Sequence, residues 1–293
     1  MKLRPLAETR LWRHLAVPAV GLIVAVLHLV NPSNVVVFAA TFPTATRLIT
    51  NEYAYRNPSR PDAITSPDWI ATSGSLFGRD GAGWTGPIDR VTPGPASDPH
   101  TDSAVFRLIT RRDDFEDVHV QFRLSIVEVT STSRTPRMDW DGVHIWVRYQ
   151  NEMSSYAVSV ARRDGIVLIK KKCPGGPTNG GRYYTLTREV TGHPIPLNQW
   201  RYVGATATDT ANGGVRITML INGHFVVGVT DRGTGCAPIR ASGAVGIRGD
   251  NTEFTFAAFR VSQFGPATTP APAVPTDPVP MVAVPQPAAS LSR

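Results

Sequence analysis

Residues 215–231, VRITMLINGHFVVGVTD, decide the fold of this protein. Apolar and polar side chains alternate on both sides of Asn222-Gly223, which is typical of two half-buried antiparallel strands. The Asn-Gly pair accepts the positive φ angles that a two-residue hairpin turn requires. The stretch therefore predicts a β-hairpin with strands at Val215–Ile221 and His224–Thr230.

The same alternation recurs through the chain between residues 48 and 264, and we find no helical period there. A second hairpin is predicted around Asp164-Gly165. About a dozen antiparallel strands favour a two-sheet sandwich over a simple barrel. The other predicted strands are Trp69–Leu76, Ala104–Thr110, Asp117–Thr130, Gly142–Gln150, Ser155–Arg163, Ile166–Lys172, Tyr183–Val190, Trp200–Thr208, Ala244–Arg248 and Phe254–Phe264.

The composition fits one large globular domain of a chain of 293 residues, 42% apolar and 18% charged. The net charge of +7 includes no run of five or six basic residues, so we expect no nucleic-acid partner. Residues 1–39 hold four of the basic residues and one acid, which leaves 26 basic and 22 acidic residues in the remainder. The folded part is therefore only mildly basic.

Both ends of the chain differ from the strand-rich middle. Residues 1–39 carry basic residues before a charge-free apolar run that is short for a membrane span, which predicts a signal peptide cut after Ala39, or alternatively a retained anchor. Either reading places the protein outside the cytosol, with membrane contact only through this segment. Residues 265–293 are rich in Pro and Ala without aromatics, which predicts a disordered tail. The domain is expected to span 48–264.

The chain contains two cysteines, Cys173 and Cys236, both in stretches rich in Gly and Pro. In an exported protein such a pair predicts a disulfide. In the chain-entropy model a bridge across this span stabilises the fold by about 3–4 kcal/mol.

The segment Leu197–Phe264 carries a recognisable order of features. Trp200 opens a strand, the Asn222-Gly223 hairpin follows, and a strand with Gly243 and Gly246 leads to a closing strand rich in Phe. This order resembles the concanavalin A-like lectin/glucanase jelly-roll superfamily, close to laminin-G-like and family 16 glycosidase-like secreted domains. The resemblance implies an all-β, two-sheet antiparallel jelly-roll sandwich. It says little about chemistry, because lectins, glycosidases, lyases and adhesion modules share this fold.

Several strand faces combine aromatic and polar side chains, as a sugar groove requires. An aromatic ring stacks on the apolar face of a sugar, while Arg, Gln and His hydrogen-bond to hydroxyls or carboxylates. We expect His144, Trp146 and Arg148 to share one face, with Trp146 as an exposed stacking platform. The predicted ligand-binding residues are Gln121, Arg123, His144, Trp146, Arg148, Lys170, Lys172 and Tyr183.

These residues favour a lectin-like domain that binds extracellular or cell-wall polysaccharide without catalysis. A polysaccharide lyase or a divergent glycoside hydrolase is the enzymatic alternative, although the Glu-x-Asp-x-x-Glu pattern of the jelly-roll glycosidases is absent and no catalytic residue is assigned. A structural envelope protein without a glycan site is the third hypothesis. The oligomeric state is left open.

Two short motifs have weaker interpretations. Asp139 and Asp141, two residues apart, would lie on one side of a strand and are weak candidates for calcium ligands; no cofactor is otherwise required. Arg248-Gly249-Asp250 spells an integrin-type tripeptide, which recurs by chance, and we expect it to connect two strands rather than to mediate adhesion.

Overall fold

A computed structural model describes residues 34–87 and 104–264. Apart from one short helix, α1 (Tyr53–Arg56), the regular elements of these residues are strands. The strands are β1 (Asn34–Ala39), β2 (Arg47–Asn51), β3 (Trp69–Ser73), β4 (Ser75–Arg79), β5 (Ala82–Trp84), β6 (Val105–Thr110), β7 (Val118–Val129), β8 (Gly142–Asn151), β9 (Ser154–Arg162), β10 (Leu168–Thr178), β11 (Gly181–Thr185), β12 (Arg201–Asp209), β13 (Val215–Ile221), β14 (His224–Asp231), β15 (Ala244–Asp250) and β16 (Thr252–Phe264).

The strands form two antiparallel sheets that pack as a sandwich. The nine-stranded sheet has the order β14-β13-β12-β7-β16-β5-β4-β2, with β1 paired to β16. The seven-stranded sheet has the order β11-β10-β9-β8-β15-β6-β3. The predicted two-sheet antiparallel sandwich is confirmed, and it is the architecture that the resemblance to the concanavalin A-like superfamily implies.

The hairpin at residues 215–231 forms as its sequence predicts. Ile221 pairs with His224, and the turn residues Asn222 and Gly223 have φ angles of 51° and 78°. These angles match a two-residue hairpin turn that follows the twist of the strands. The hairpin thereby fixes the register of one edge of the nine-stranded sheet.

The core lies between the sheets and is rich in aromatic residues of the closing strand. Phe254, Phe256 and Phe259 of β16 are fully buried, and the Phe254 ring packs edge-on against Phe106 of β6 in the other sheet, with centroids 5.4 Å apart. Full burial of one such side chain contributes about 1.5–3 kcal/mol. The core therefore ties the central strands of both sheets together.

The first described strand precedes the expected domain start at Leu48. β1 starts at Asn34 and pairs with β16, and the Phe38 ring packs 5.5 Å from that of Trp69. A cut after Ala39 would remove this strand. The signal or anchor segment up to residue 33 and the tail at 265–293 lie outside the described residues. Within the described ranges, no helix is long and apolar enough to cross a membrane.

The predicted disulfide is confirmed. Cys173 in β10 is bonded to Cys236 in the loop between β14 and β15, with the two Cα atoms 6.0 Å apart. The bridge joins the seven-stranded sheet to a loop that leaves the nine-stranded sheet.

Candidate functional site

The outward surface of the seven-stranded sheet, called here the outer face, carries the candidate site. Because side chains alternate along a strand, Val143, Ile145 and Val147 of β8 point into the core while His144 and Trp146 point outward. Lys170 and Lys172 of β10 and Tyr183 of β11 have the same parity, since Lys170 pairs with Ala157 and Lys172 with Tyr183. Five of the predicted ligand-binding residues therefore share this face: His144, Trp146, Lys170, Lys172 and Tyr183.

His144 lies at the centre of a polar row across three strands. It pairs with Ser159 of β9 and with Arg248 of β15. Its Nδ1 is 2.9 Å from the Ser159 hydroxyl, and its Nε2 is 3.4 Å from Asp250 Oδ2. Burial lowers the pKa of His144 more than the neighbouring carboxylate raises it, so the imidazole is neutral at pH 7.

Arg248 and Asp250 form an ion pair beside this histidine. The Arg248 guanidinium lies 2.8 Å from Asp250 and donates to the Tyr183 hydroxyl over 2.9 Å. Burial alone would raise the pKa of Asp250. Arg248 and His144 lower this pKa by more than burial raises it, so the carboxylate stays ionised. The charges of Arg248 and Asp250 therefore neutralise each other within the protein.

A cavity of about 340 Å³ opens on this part of the outer face. Its floor includes His144, Ser159 and Lys170. Trp140, from the turn before β8, and Tyr183, from edge strand β11, contribute aromatic walls. The Trp140 side chain is 45% exposed, which leaves its ring accessible to a ligand.

The two outward lysines differ in their access to this cavity. Lys170 lines it and is half-buried. Burial, and then the charges of Arg162 and Arg248, lower its pKa. Lys172 is buried, donates to the Glu152 carbonyl and lies with Nζ 5.2 Å from the centre of a tyrosine ring. Burial, followed by neighbouring arginines, lowers the pKa of Lys172 to about 8.

Trp146 is on the outer face but is only 4% exposed, so the expectation of an exposed stacking platform is wrong. Its cross-strand partners are Ala157 and Gly246, whose small size leaves room for the indole against the sheet. The Tyr149 ring stacks on it with centroids 5.0 Å apart. The indole therefore lines a smaller neighbouring cavity, and Trp140 presents the accessible ring.

Arg148 does not share the outer face with His144 and Trp146, so that expectation is also wrong. It has a φ of 51° at a β-bulge, which shifts the alternation of β8 and directs the side chain between the sheets. There the fully buried guanidinium donates to Asp117 and Asp209 over 2.9 and 3.1 Å. These contacts join the two sheets at one end of the sandwich.

Gln121 and Arg123 lie on the opposite side of the sandwich. Both point outward from β7 of the nine-stranded sheet, and the Arg123 guanidinium sits 4.7 Å from the centre of the Trp200 ring. The structure thus does not bring Gln121 or Arg123 to the cavity that contains His144.

The two candidate calcium ligands do not share a strand face, because they lie in the turn before β8. Asp139 is exposed, whereas Asp141 is buried and its carboxylate accepts hydrogen bonds from Met138 N and Asn251 Nδ2. The same Asp141 oxygen lies 3.4 Å from the Arg163 guanidinium, so the protein itself supplies the partners of this atom. Over residues 34–87 and 104–264, no group of three or more His, Cys, Asp or Glu side chains is arranged to hold a metal ion.

Sequence reasoning missed several residues of the site, which are Trp140, Ser159, Arg248 and Asp250. Alternation would have found two of them, because Arg248 and Asp250 flank inward positions of a strand. The tripeptide Arg248-Gly249-Asp250 was expected to connect two strands, but it lies within β15. Trp140 belongs to a turn, where strand periodicity gives no signal.

Comparisons with known proteins find similarity only to solved structures, since no protein-family profile and no curated protein matches the sequence. The chain is similar to the carbohydrate-binding module CBM66 from Bacillus subtilis, with 12% identity, a TM-score of 0.44 and coverage of 67% of this chain and 95% of that chain. It is also similar to the exoplasmic/lumenal domain of VIP36 in its Ca²⁺/Man3GlcNAc-bound form, with 9% identity, a TM-score of 0.45 and coverage of 79% and 93%. A third similar structure is that of alginate lyase Aly36B, with 8% identity, a TM-score of 0.41 and coverage of 79% of this chain and 97% of that chain.

Proposed function

We propose that this protein is an extracellular carbohydrate-binding domain that holds a polysaccharide in the cavity of the outer face. The observation that carries the proposal is the cavity itself, in which Trp140 and Tyr183 flank a floor with the polar groups of Ser159 and Lys170. Aromatic rings bind the apolar face of a sugar, and convergent polar groups bind its hydroxyls. The Cys173–Cys236 disulfide supports an extracellular location, because disulfides persist in oxidising compartments.

Substitution of Trp140 tests this proposal. We expect Trp140→Ala to weaken retention in glycan-containing affinity gels by at least about tenfold, the equivalent of about 1.4 kcal/mol for a lost stacking contact. The melting temperature should change by less than about 2 °C, because an exposed side chain contributes little to the core.

Trp200→Ala is the matched control, since Trp200 is 42% exposed but lies at the nine-stranded sheet. It should retain wild-type glycan binding. Equal losses in the two variants would contradict the placement of the site. If the wild-type protein bound no glycan in a broad panel, the structural envelope hypothesis would replace this one.

A polysaccharide lyase is the second candidate function, favoured by the neutral His144 in the cavity floor beside the cation Lys170. In such a reaction a cation neutralises the uronate carboxylate and a neutral base removes the adjacent C5 proton. The C4–O glycosidic bond then breaks as a C4–C5 double bond forms, and the departing oxygen takes up a proton. A retaining glycosidase fits less well because Asp250, the one carboxylate among the described residues that line the cavity, is paired with Arg248. Ultraviolet absorbance from unsaturated uronate products, lost in His144→Gln, would establish the lyase and overturn non-catalytic binding.

A further inference from the structure

The charges on the outer face are not balanced. Three carboxylates there already have basic partners within the protein: Asp250 is paired with Arg248, Asp164 with Arg162, and Glu152 with an arginine of α1 at 3.5 Å. These pairs contribute little net charge to the surface, because each carboxylate lies beside a guanidinium.

Three cations on the same face have no such partner. Within the described ranges, no carboxylate lies within ion-pair distance of Arg107, Lys170 or Lys172. Arg107 belongs to the same cross-strand row as His144, since it pairs with Arg248. Burial, and then repulsion by Arg248, lower the pKa of Arg107. These cations therefore repel one another and leave the outer face positive.

Lys170 is the one of these three that lines the 340 Å³ cavity. No hydrogen bond or ion pair engages its Nζ among the residues that the structure describes. A half-buried ammonium without an ion-pair partner has lost part of its hydration, and the more distant carboxylates of Asp164 and Glu189 offset that loss only in part. An anionic group that enters the cavity would supply the missing partner.

We propose that the cavity selects acidic polysaccharides, whose carboxylate or sulfate groups pair with Lys170 while Trp140 and Tyr183 hold the sugar rings. Lys172 and Arg107 line a smaller neighbouring cavity, which shares Tyr183 and Arg248 with this one, and add to the positive potential without direct contact. This inference rests on the proposed carbohydrate-binding function and names its ligand class.

Paired probes test the charge requirement on the full-length protein. Polygalacturonate is compared with the same polymer after reduction of its carboxyl groups, and dextran sulfate with dextran, by affinity electrophoresis at a fixed salt concentration. We expect the acidic form of at least one pair to bind about tenfold or more tightly than its neutral counterpart. The two pairs distinguish carboxylate from sulfate recognition.

Lys170→Gln should lower affinity for the acidic probe about tenfold and leave any affinity for the neutral probe unchanged. The matched control is Arg216→Gln, which removes the same charge from an exposed position of β13 in the nine-stranded sheet. This control should bind like the wild type. Equal weakening in both variants would show that net charge alone acts, and would overturn the assignment to Lys170.

Failure of this inference is separable from failure of the proposed function. Acidic selectivity would be overturned if acidic and neutral probes bound equally well. The carbohydrate-binding proposal would still stand if Trp140→Ala lost that binding. Absence of binding to every probe, including neutral glycans, would overturn both.

Discussion

Lys170, Lys171 and Lys172 are consecutive in β10 but serve two different regions of the molecule. Lys171 points between the sheets, where its Nζ lies 2.7 Å from Asp231 and both side chains are fully buried. The Tyr156 hydroxyl donates to the same carboxylate over 2.7 Å. On the opposite side of the strand, Lys170 faces an open cavity without a partner in the described structure.

The difference lies in whether the protein itself satisfies the charge. Burial alone would raise the pKa of Asp231, but hydrogen bonds from Lys171, Gly233 and Tyr156 lower it by more, so this carboxylate is ionised and has its partners within the protein. A complete buried pair holds two sheets together but offers nothing to a ligand. A lysine without an ion-pair partner on an accessible face is suited to bind an anion.

The largest expected effect breaks the inner pair. Lys171→Met leaves Asp231 charged and buried without its cation, which should reduce the free energy of unfolding by about 3–5 kcal/mol. Lys170→Met, one position away, should change it by less than about 0.5 kcal/mol. Urea unfolding of both variants measures the contrast. Similar stabilities would show that the inner pair contributes no more than a surface charge.

A somewhat smaller effect is expected from the disulfide beside this pair. Replacement of Cys173 and Cys236 by Ser should lower the free energy of unfolding by about 3–4 kcal/mol, mostly through the unfolded state. Lys171 donates to the Cys236 carbonyl over 2.5 Å, so the bridge also positions an acceptor for the inner lysine. Combining the Ser replacements with Lys171→Met should therefore cost less than the sum of the separate losses, as a double-mutant cycle can determine. Strict additivity would show that the two features are independent.

The smallest expected effect is a pH dependence from the outer face. The pKa of Lys172 is about 8 in the folded protein, below its ordinary value of about 10.4 in an unfolded chain. Between these values the unfolded state binds more protons, so stability should rise as the pH increases from about 8 to about 10. Binding of acidic glycan should also weaken as the pH rises, because Lys172 and Lys170, whose pKa is likewise lowered by burial, lose their charges.

Arg107, Arg248, Glu152 and Tyr183 face Lys172 and remain unchanged in Lys172→Met, which serves as the control. In this variant the rise in stability between pH 8 and 10 should shrink. Retention of the full wild-type slope would assign the titration to another group.

The sequence was sufficient for the central strands and for part of the outer face. It predicted a single strand at Trp69–Leu76, where the structure has β3 and β4 in different sheets, and it did not predict β1, β2 or β5. Alternation in residues 142–151 placed His144 correctly, and the Asn222-Gly223 turn fixed a hairpin, because both depend on local geometry. The position of Arg148 was not predictable, since one bulge reverses the direction of every later side chain in a strand. Burial of Trp146 depends on Ala157, which is adjacent only after the strands pair.

Amine labelling tests the account most directly, because the chain has only four lysines, Lys2 and the three consecutive residues of β10. The folded protein is acetylated with and without saturating polygalacturonate, and modification at each lysine is measured by fragment mass spectrometry. We expect Lys170 to be modified in the free protein and protected by the polymer, while Lys171 remains unmodified in both samples. Equal modification of Lys170 with and without bound polymer, or ready modification of Lys171, would contradict the division of this strand into a ligand-binding and a structural side.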